Sequence, residues 1–283
     1  MIRLLKAFRY KLFRDLTFRI TLIIGVGVAF LMTLLFFLIQ SIGQSGQDFK
    51  ICTGQSMLAT AVNPAEGFGY SIPINLCTFV VLEFTSGTIR NKIIAGNSKF
   101  KIYASLFISG IVFAILLIGM YIALCFGLGC AFGGFDPKGF LFSYGASGIA
   151  SGHFLLKLLV VTLFSYITIT SLAVFISTLF RNIGPCIPVV IISIMLLGFT
   201  PMIIGMMPGM EDVVKVISCI NPLHYLVCYD TTPIMMGGGE EPQMLYDITI
   251  SNASLIKAIV CNLVYTAGFF AAGSYLFTKK DVK

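Results

Sequence analysis

The chain has 283 residues, 57% of them hydrophobic, with no tryptophan, a mean hydropathy of +0.95 and a formal net charge of +7. A water-soluble domain of this size carries more polar surface, so the composition excludes a soluble enzyme or binding module and defines a membrane protein. The positive balance does not mark a nucleic-acid binder either, because the basic residues collect in short stretches beside long apolar runs.

The chain opens with MIRLLKAFRYKLFRD, residues 1–15. On a helical wheel Leu4, Leu5, Phe8, Leu12, Phe13 and Leu16 share one half, while Arg3, Lys6, Lys11 and Arg14 share the other; Arg9 breaks the pattern. This predicts a helix lying in the membrane interface with its cations near anionic headgroups. The plainer reading is a basic flank that only orients the first span. That first run, Leu16–Ile42, is too long for the apolar part of a signal peptide and lacks a small-x-small cleavage site, so it reads as a permanent span. The connection after it, Gly43–Gly67, is rich in Gly, Gln, Ser and Asn and reads as irregular.

Five more apolar runs follow near Phe68–Phe84, Ile102–Phe132, His153–Phe180, Pro185–Met206 and Leu255–Phe277. Each approaches the roughly 20 residues that a helix needs to cross a bilayer, which predicts six spans with both termini on one side. Basic residues gather at Arg3–Arg19, Arg90–Lys101, Arg181 and Lys279–Lys283, whereas Asp48, Glu66, Asp136, Glu211, Asp212, Asp230, Glu240, Glu241 and Asp247 fall in the other connections. The positive-inside rule then places both termini in the cytoplasm.

The second run carries Ser71, Asn75 and Thr78 along one face. A polar stripe is costly in lipid, so it faces protein or water. It is a candidate translocation pathway or subunit seam, and equally a set of hydrogen bonds within one subunit. Ser165, Thr168, Thr170 and Ser171 in the fourth run are weaker signals, since such hydroxyls often bond the carbonyl one turn back.

Between the second and third runs lies EFTSGTIRNKIIAGNSKFKIY, residues 83–103, with Glu83, Arg90, Lys92, Lys99 and Lys101. Burying one charge at the bilayer centre costs about 2.5–3.5 kcal/mol, so this island leaves the hydrocarbon. Thr85 or Ser86 is placed to cap a short helix beginning near Gly87, with Ile89, Ile93 and Ile94 on one face and Gly96-Asn97 as its stop. The spacing predicts a two-turn amphipathic docking helix.

The link at Arg181–Gly184 is short, so the fourth and fifth runs form a hairpin. The long segment Gly205–Ser254 begins with Pro208-Gly209 and then a helix over Met210–Ile220, ended by Asn221-Pro222. A second apolar piece, Leu223–Tyr229, is too short to cross, and MMGGGEE at 235–241 reads as a flexible turn. One or two short helices dipping into the outer interface are expected here. Neither an internal repeat nor a second soluble domain is visible. Cys77, Cys125, Cys130, Cys186 and Cys261 read as small apolar fillers. Cys52, Cys219 and Cys228 fall outside, and a Cys219–Cys228 bridge stays open.

The string Glu83, Gly87-Thr88-Ile89-Arg90-Asn91-Lys92, Gly96-Asn97-Ser98 and then Ile102-Tyr103 resembles the inner loop of ABC transporter permeases of the type 2 (ABC-2) exporter family. The basic opening helix, the six spans, and Asn221-Pro222-Leu223 with Tyr225 before the last span are similar to that family too; Lys99 departs from the arginine frequent there. The resemblance implies an all-α membrane protein, a single transmembrane domain over 1–283. Its parts are the interfacial helix (1–15), a coupling loop (83–101) and an outer re-entrant segment (205–254). It further implies that Gly87–Gly96 is the coupling helix that fits a cleft on a cytoplasmic ATPase. Thr88 and Asn91 lie on it, Arg90 and Lys92 are its ionic contacts, and Ile89 and Ile93 are its apolar anchors. Glu83 becomes a membrane-boundary glutamate in a polar network with the opening helix, and Asn221, Pro222 and Tyr225 an outer gate. Partners implied are two ABC ATPase subunits carrying ATP and Mg, a second permease half, identical or homologous, and the bilayer, in the plasma membrane of a bacterium. Alternating access would then export an amphipathic or hydrophobic cargo such as an antimicrobial peptide, a drug or a lipid.

The chain has no GxxxxGK[ST] phosphate loop, so no cofactor site is expected in it. An intramembrane enzyme is the less favoured class: His153 and His224, the two histidines, lack neighbours at metal-ligand spacing, and Glu240-Glu241 sits in a glycine-rich turn. An ion-coupled carrier or channel is the other alternative. Such proteins place ionisable groups mid-span, whereas Arg19, Glu83, Lys157 and Lys257 lie near the ends of runs.

Overall fold

The computed structural model describes residues 6–8, 10, 11, 14, 16–42, 52–62, 70–134, 140, 141, 147–150, 154–180, 182–207, 209–222, 230–236 and 243–279. Helical backbone is present at Lys6–Phe8, Tyr10, Lys11 and Arg14 of the opening segment. There follow α1 (Leu16–Ile42), α2 (Gly54–Val62), α3 (Ser71–Thr85), α4 (Thr88–Ile94), α5 (Lys99–Gly133), strands β1 (Phe140–Leu141) and β2 (Ser147–Ala150), α6 (Phe154–Leu179), α7 (Ile183–Gly205), α8 (Glu211–Ile220), strands β3 (Asp230–Met236) and β4 (Gln243–Thr249), and α9 (Asn252–Lys279).

All six apolar runs fold as helices, but not all reach spanning length. Among the described residues α1, α5, α6 and α9 are long and apolar enough to cross a bilayer, and α3 with α4 makes a fifth if that bent pair is one span. Helix α3 has 15 residues, about 22 Å of rise against a hydrocarbon core of about 30 Å. It stops because Gly87 takes the left-handed conformation (φ +68°), and α4 leaves at 56° to α3. Helix α7 (Ile183–Gly205) has 23 residues and no charged side chain.

The bundle is built around α6. Two-thirds of its most apolar stretch is buried (67%), against 17% for α1 and 11% for α9. The buried face of α6 is lined with hydroxyls, Thr162, Ser165, Thr168, Thr170, Ser171 and Ser177. Small hydroxylic side chains let neighbouring backbones approach closely, and several satisfy their own oxygens on the helix; Ser177, for example, donates to the Ala173 carbonyl. Gly110 of α5 serves the same end, since a Cβ there would press on Val174 and Leu76. Many large apolar side chains of α1, such as Ile23, Ile24, Phe30 and Leu31, point outward, as expected of a helix whose solvent is lipid.

Two expectations for the connections are corrected. The segment before α3 was expected to be irregular, yet α2 forms within it and packs against the far end of α5. Thr53 caps α2 by accepting from the Ser56 amide at 3.3 Å. The fit depends on Gly129 and Gly133, one turn apart on α5: a Cβ at Gly129 would press on Met57, and one at Gly133 would overlap the Cys52 carbonyl. The packing partner lies about 75 positions away, so nothing in Gly54–Val62 itself announces a helix.

The second correction concerns the segment after α8, where short helices alone were expected. Helix α8 is present, but β3 and β4 then pair antiparallel from Asp230↔Thr249 to Met236↔Gln243. Strand β2 joins β4 in parallel, Gly148↔Tyr246 to Ala150↔Ile248, giving the order β1-β2-β4-β3. β-Branched residues at Thr231, Thr232, Ile234, Ile248 and Thr249 favour the extended form. The sheet thus ties the α5–α6 connection to the α8–α9 connection. Tyr225, His153, His224 and Cys228 lie outside the described residues, as do the side chain of Cys219 and residues 237–241; Met235 and Met236, expected in a turn, end β3.

Candidate functional site

The α3–α4–α5 connection gathers most of the candidate residues at one end of the bundle, called the basic end below. Helix α4 is closed on both sides by local geometry. Gly87, its N-cap, has φ +68° and no side-chain cap. The hydroxyl of Ser86 does not cap α4 as expected; it donates to the Leu82 carbonyl at 2.6 Å and pairs with Thr88 Oγ1 at 2.7 Å. At the other end Gly96 (φ +84°) turns the chain. The Gly96 amide then donates to Ile93 and the Asn97 amide to Lys92, the paired bonds of a Schellman stop. Ser98 begins α5 by accepting from the Lys101 amide.

Glu83, at the end of α3, is fully buried (0% exposed) and holds two cations. Lys11 Nζ of the opening segment lies 2.7 Å from Oε1, and Lys92 Nζ of α4 lies 2.9 Å from Oε2. Lys92 also sits 3.2 Å from the centre of the Phe8 ring, a cation–π contact. Phe8 is itself buried and meets Phe79 edge-on at 6.3 Å. Burial pushes the Lys92 ammonium below its ordinary pKa; the Glu83 carboxylate acts in the opposite direction. A buried carboxylate is tolerated here because two ammonium groups neutralise it. The apolar face of the opening helix therefore meets protein at Phe8, while Lys6, Tyr10 and Arg14 form its exposed side; Arg14 donates to the Tyr10 hydroxyl at 2.7 Å.

On α4 the side chains divide. Ile89 is fully buried in the chain's own core and Ile93 packs against it, whereas Arg90, Asn91 and Ile94 are exposed, Ile94 by 73%. The exposed apolar residue of this helix is thus Ile94 and not Ile89. Thr88 is half-buried.

The polar stripe of α3 is used inside the chain. Asn75 accepts from Thr21 Oγ1 of α1 at 2.8 Å and donates to the Ser71 carbonyl at 2.6 Å; Thr78 donates to the Ile74 carbonyl.

At the opposite end, called the sheet end, Asn221 and Pro222 form a buried elbow after α8. Asn221 is extended (φ −77°, ψ 118°), as a residue before proline prefers. Its side-chain amide donates to the Leu197 carbonyl of α7. The Pro222 carbonyl accepts from Ser165 Oγ of α6 and from Asn262 Nδ2 of α9, both at 3.4 Å. Asn262 is fully buried and also accepts from Thr168 Oγ1 at 2.7 Å. Sequence reasoning did not single out Asn262, though an amide in the middle of an apolar run was the available signal. Lys157, near the start of α6, donates to the Ile250 carbonyl at 2.7 Å, so its charge stays at the end of its helix. Among the described residues no group of His, Cys, Asp and Glu is placed to hold a metal ion.

Apolar helices of spanning length, a hydroxyl-lined central helix and charge confined to the bundle ends define a multi-pass membrane protein. The model of the ABC-2 family transporter proteins matches residues 68–275, most of the chain, and the protein belongs to that family of ABC transporter membrane subunits. No curated protein matches the chain.

Proposed function

We propose that the chain is the permease half of an ATP-driven exporter and that α4 is where a separate ATPase takes hold. The observation that carries this reading is the build of the basic end. A two-turn helix projects at 56° from a span, is anchored from beneath by Ile89 and the Glu83–Lys92 pair, and presents Arg90, Asn91 and Ile94 outward. Arg90 then supplies the ionic contact to the ATPase and Ile94 the inserted apolar one, while Lys92 serves within the chain. Glu83, Gly87, Thr88, Ile89, Ile93 and Gly96 set the direction and rigidity of the helix.

In this reading both termini and α4 face the cytoplasm, as the placement of the basic residues favours. ATP and Mg belong to two ATPase subunits, and a second permease half completes the pathway. Closure of the ATPases on ATP drives the two α4 helices together, and the bundle passes between inward- and outward-open states. The elbow at Asn221-Pro222 serves as outer gate. The cargo is amphipathic or hydrophobic, as the apolar character of the spans favours. Asn75 bonds α3 to α1, which favours a structural role for that stripe over a cargo path.

The test is Arg90→Glu combined with Gly87→Pro in the purified permease–ATPase complex. Transport-stimulated ATP hydrolysis is expected to be lost while membrane insertion is retained; unchanged hydrolysis removes the docking assignment.

A further inference from the structure

The last helix is fastened at both ends to the two regions to which function is assigned above. At the basic end, Phe277 of α9 meets Phe84 of α3 and Tyr103 of α5, each at 5.7 Å between ring centres. Phe270 meets Phe107 at 4.9 Å and Tyr103 at 5.6 Å, and Lys99 Nζ donates to the Thr278 carbonyl at 3.0 Å. The Tyr103 ring is admitted only because residue 273 is glycine; a Cβ there would overlap the phenol hydroxyl. Both helices that flank α4 are therefore gripped by α9. At the sheet end Asn262 joins two elements to its own helix, the elbow and α6, while Nδ2 also donates to the Ala258 carbonyl one turn back. Its Nδ2 donates to the Pro222 carbonyl at 3.4 Å and to Ser165 Oγ at 3.5 Å, its Oδ1 accepts from Thr168 Oγ1, and it is 0% exposed. Between Asn262 and Phe277 the helix is continuous and free of proline, a rise of roughly 22 Å. A helix hydrogen-bonded throughout resists bending and compression. Displacement at the aromatic grip that exceeds the small sliding rings allow is thus carried along the helix toward the elbow.

We propose that α9 is the rod through which the α3–α5 connection governs the Asn221-Pro222 elbow, with Asn262 the positioning residue that holds the elbow at its far end. The proposal rests on the reading of α4 as the ATPase contact. Removing the Asn262 amide takes away one donor to the Pro222 carbonyl and the shortest of the contacts Thr168 makes to α9, leaving Thr168 the Asn262 main-chain carbonyl and Thr266 Oγ1. Crowding Gly273 instead shifts the aromatic grip while every bond at the elbow stays in place. The two lesions separate holding the elbow from informing it.

The experiment is amide hydrogen exchange over residues 211–222 in the permease–ATPase complex held in phospholipid nanodiscs, without nucleotide and after trapping with ATP and vanadate. The wild-type complex is expected to change exchange at the elbow on trapping. Asn262→Ala is expected to exchange fast in both states. Gly273→Ala is expected to keep the nucleotide-free rate but lose the response, with partial recovery in Gly273→Ala/Tyr103→Phe, where the obstructing hydroxyl is gone. Thr168→Val, a milder lesion at the same hub, is expected to act in the direction of Asn262→Ala, and it stands in should that variant not fold. Wild-type exchange in both hub variants, a full response in Gly273→Ala, or an elbow indifferent to nucleotide in the wild type each overturns the rod. Loss of the reading of α4 shows differently: the wild-type ATPase then remains bound after Arg90→Glu/Gly87→Pro, whatever the elbow does.

Discussion

The two ends of the bundle are held by different physics. At the basic end, rings and charges do the fastening: Phe84, Tyr103, Phe270 and Phe277 interlock, and one carboxylate, Glu83, is shared by ammonium groups from two segments. At the sheet end, hydrogen bonds and close backbone approach take over, through Asn262, Asn221, Gly129 and Gly133. Ring packing tolerates small sliding, because dispersion and quadrupole contacts have broad minima. Hydrogen bonds to single carbonyls are satisfied or broken. A region that has to accept motion and one that has to switch between states are thus built from the materials suited to each.

This contrast can be broken or sharpened by substitution. The largest effect is expected at Glu83. Glu83→Ala strands the mostly buried Lys92 ammonium, and removing one partner of a buried pair costs about 3–5 kcal/mol. Thermal unfolding in detergent should show the loss, and Glu83→Ala/Lys92→Met should recover much of it. An unchanged melting temperature in the single variant would mean that solvent already screens the pair. Next comes α4 itself: Ile89→Ala empties a core position at about 2–5 kcal/mol, whereas Ile94→Ala should change stability by no more than about 0.5 kcal/mol while weakening ATPase retention in co-purification. Equal stability losses at the two positions would show that α4 turns a different face outward. At the sheet end, Gly133→Ala forces α2 away from α5 at a cost of about 1–3 kcal/mol, read as faster proteolysis or exchange within 52–62. A small stability effect is expected from Asn75→Ala, about 0.6 kcal/mol for one interhelical hydrogen bond in a membrane; a transport defect out of proportion to that loss would restore the stripe as a cargo path.

The two ends also differ in how far their sequence disclosed them. The basic end was legible because its determinants are local. Glu83, the glycines at 87 and 96 and the isoleucines between them lie within one short stretch, and charge excludes that stretch from hydrocarbon. What remained hidden there was the rotation of α4: periodicity marked Ile89, Ile93 and Ile94 as one face, but only packing against the core decides which of them stays outside. The pairing of Lys11 with Glu83 was likewise beyond local reasoning, apart from the polar network that family resemblance implies. The sheet end was largely illegible. Helix α2 owes its existence to glycines on α5, and β2 finds β4 across almost 100 residues, so neither leaves a periodic signal in its own segment. The apolar runs themselves were placed to within a few residues, since length and hydropathy alone define them, yet the bend at Gly87 shortens one crossing in a way that hydropathy does not report.

The little sheet has a consequence for how copies of this protein behave when crowded. Its flanking ribbons are poor templates: β1 offers two residues, and β3 carries Pro233, which lacks an amide hydrogen, midway along its length. Among the described residues neither flank offers a neighbour a long run of free backbone groups. Concentrated material should therefore associate through its lipid-facing helices and remain free of cross-β fibres, even where detergent leaves the extramembrane caps in contact.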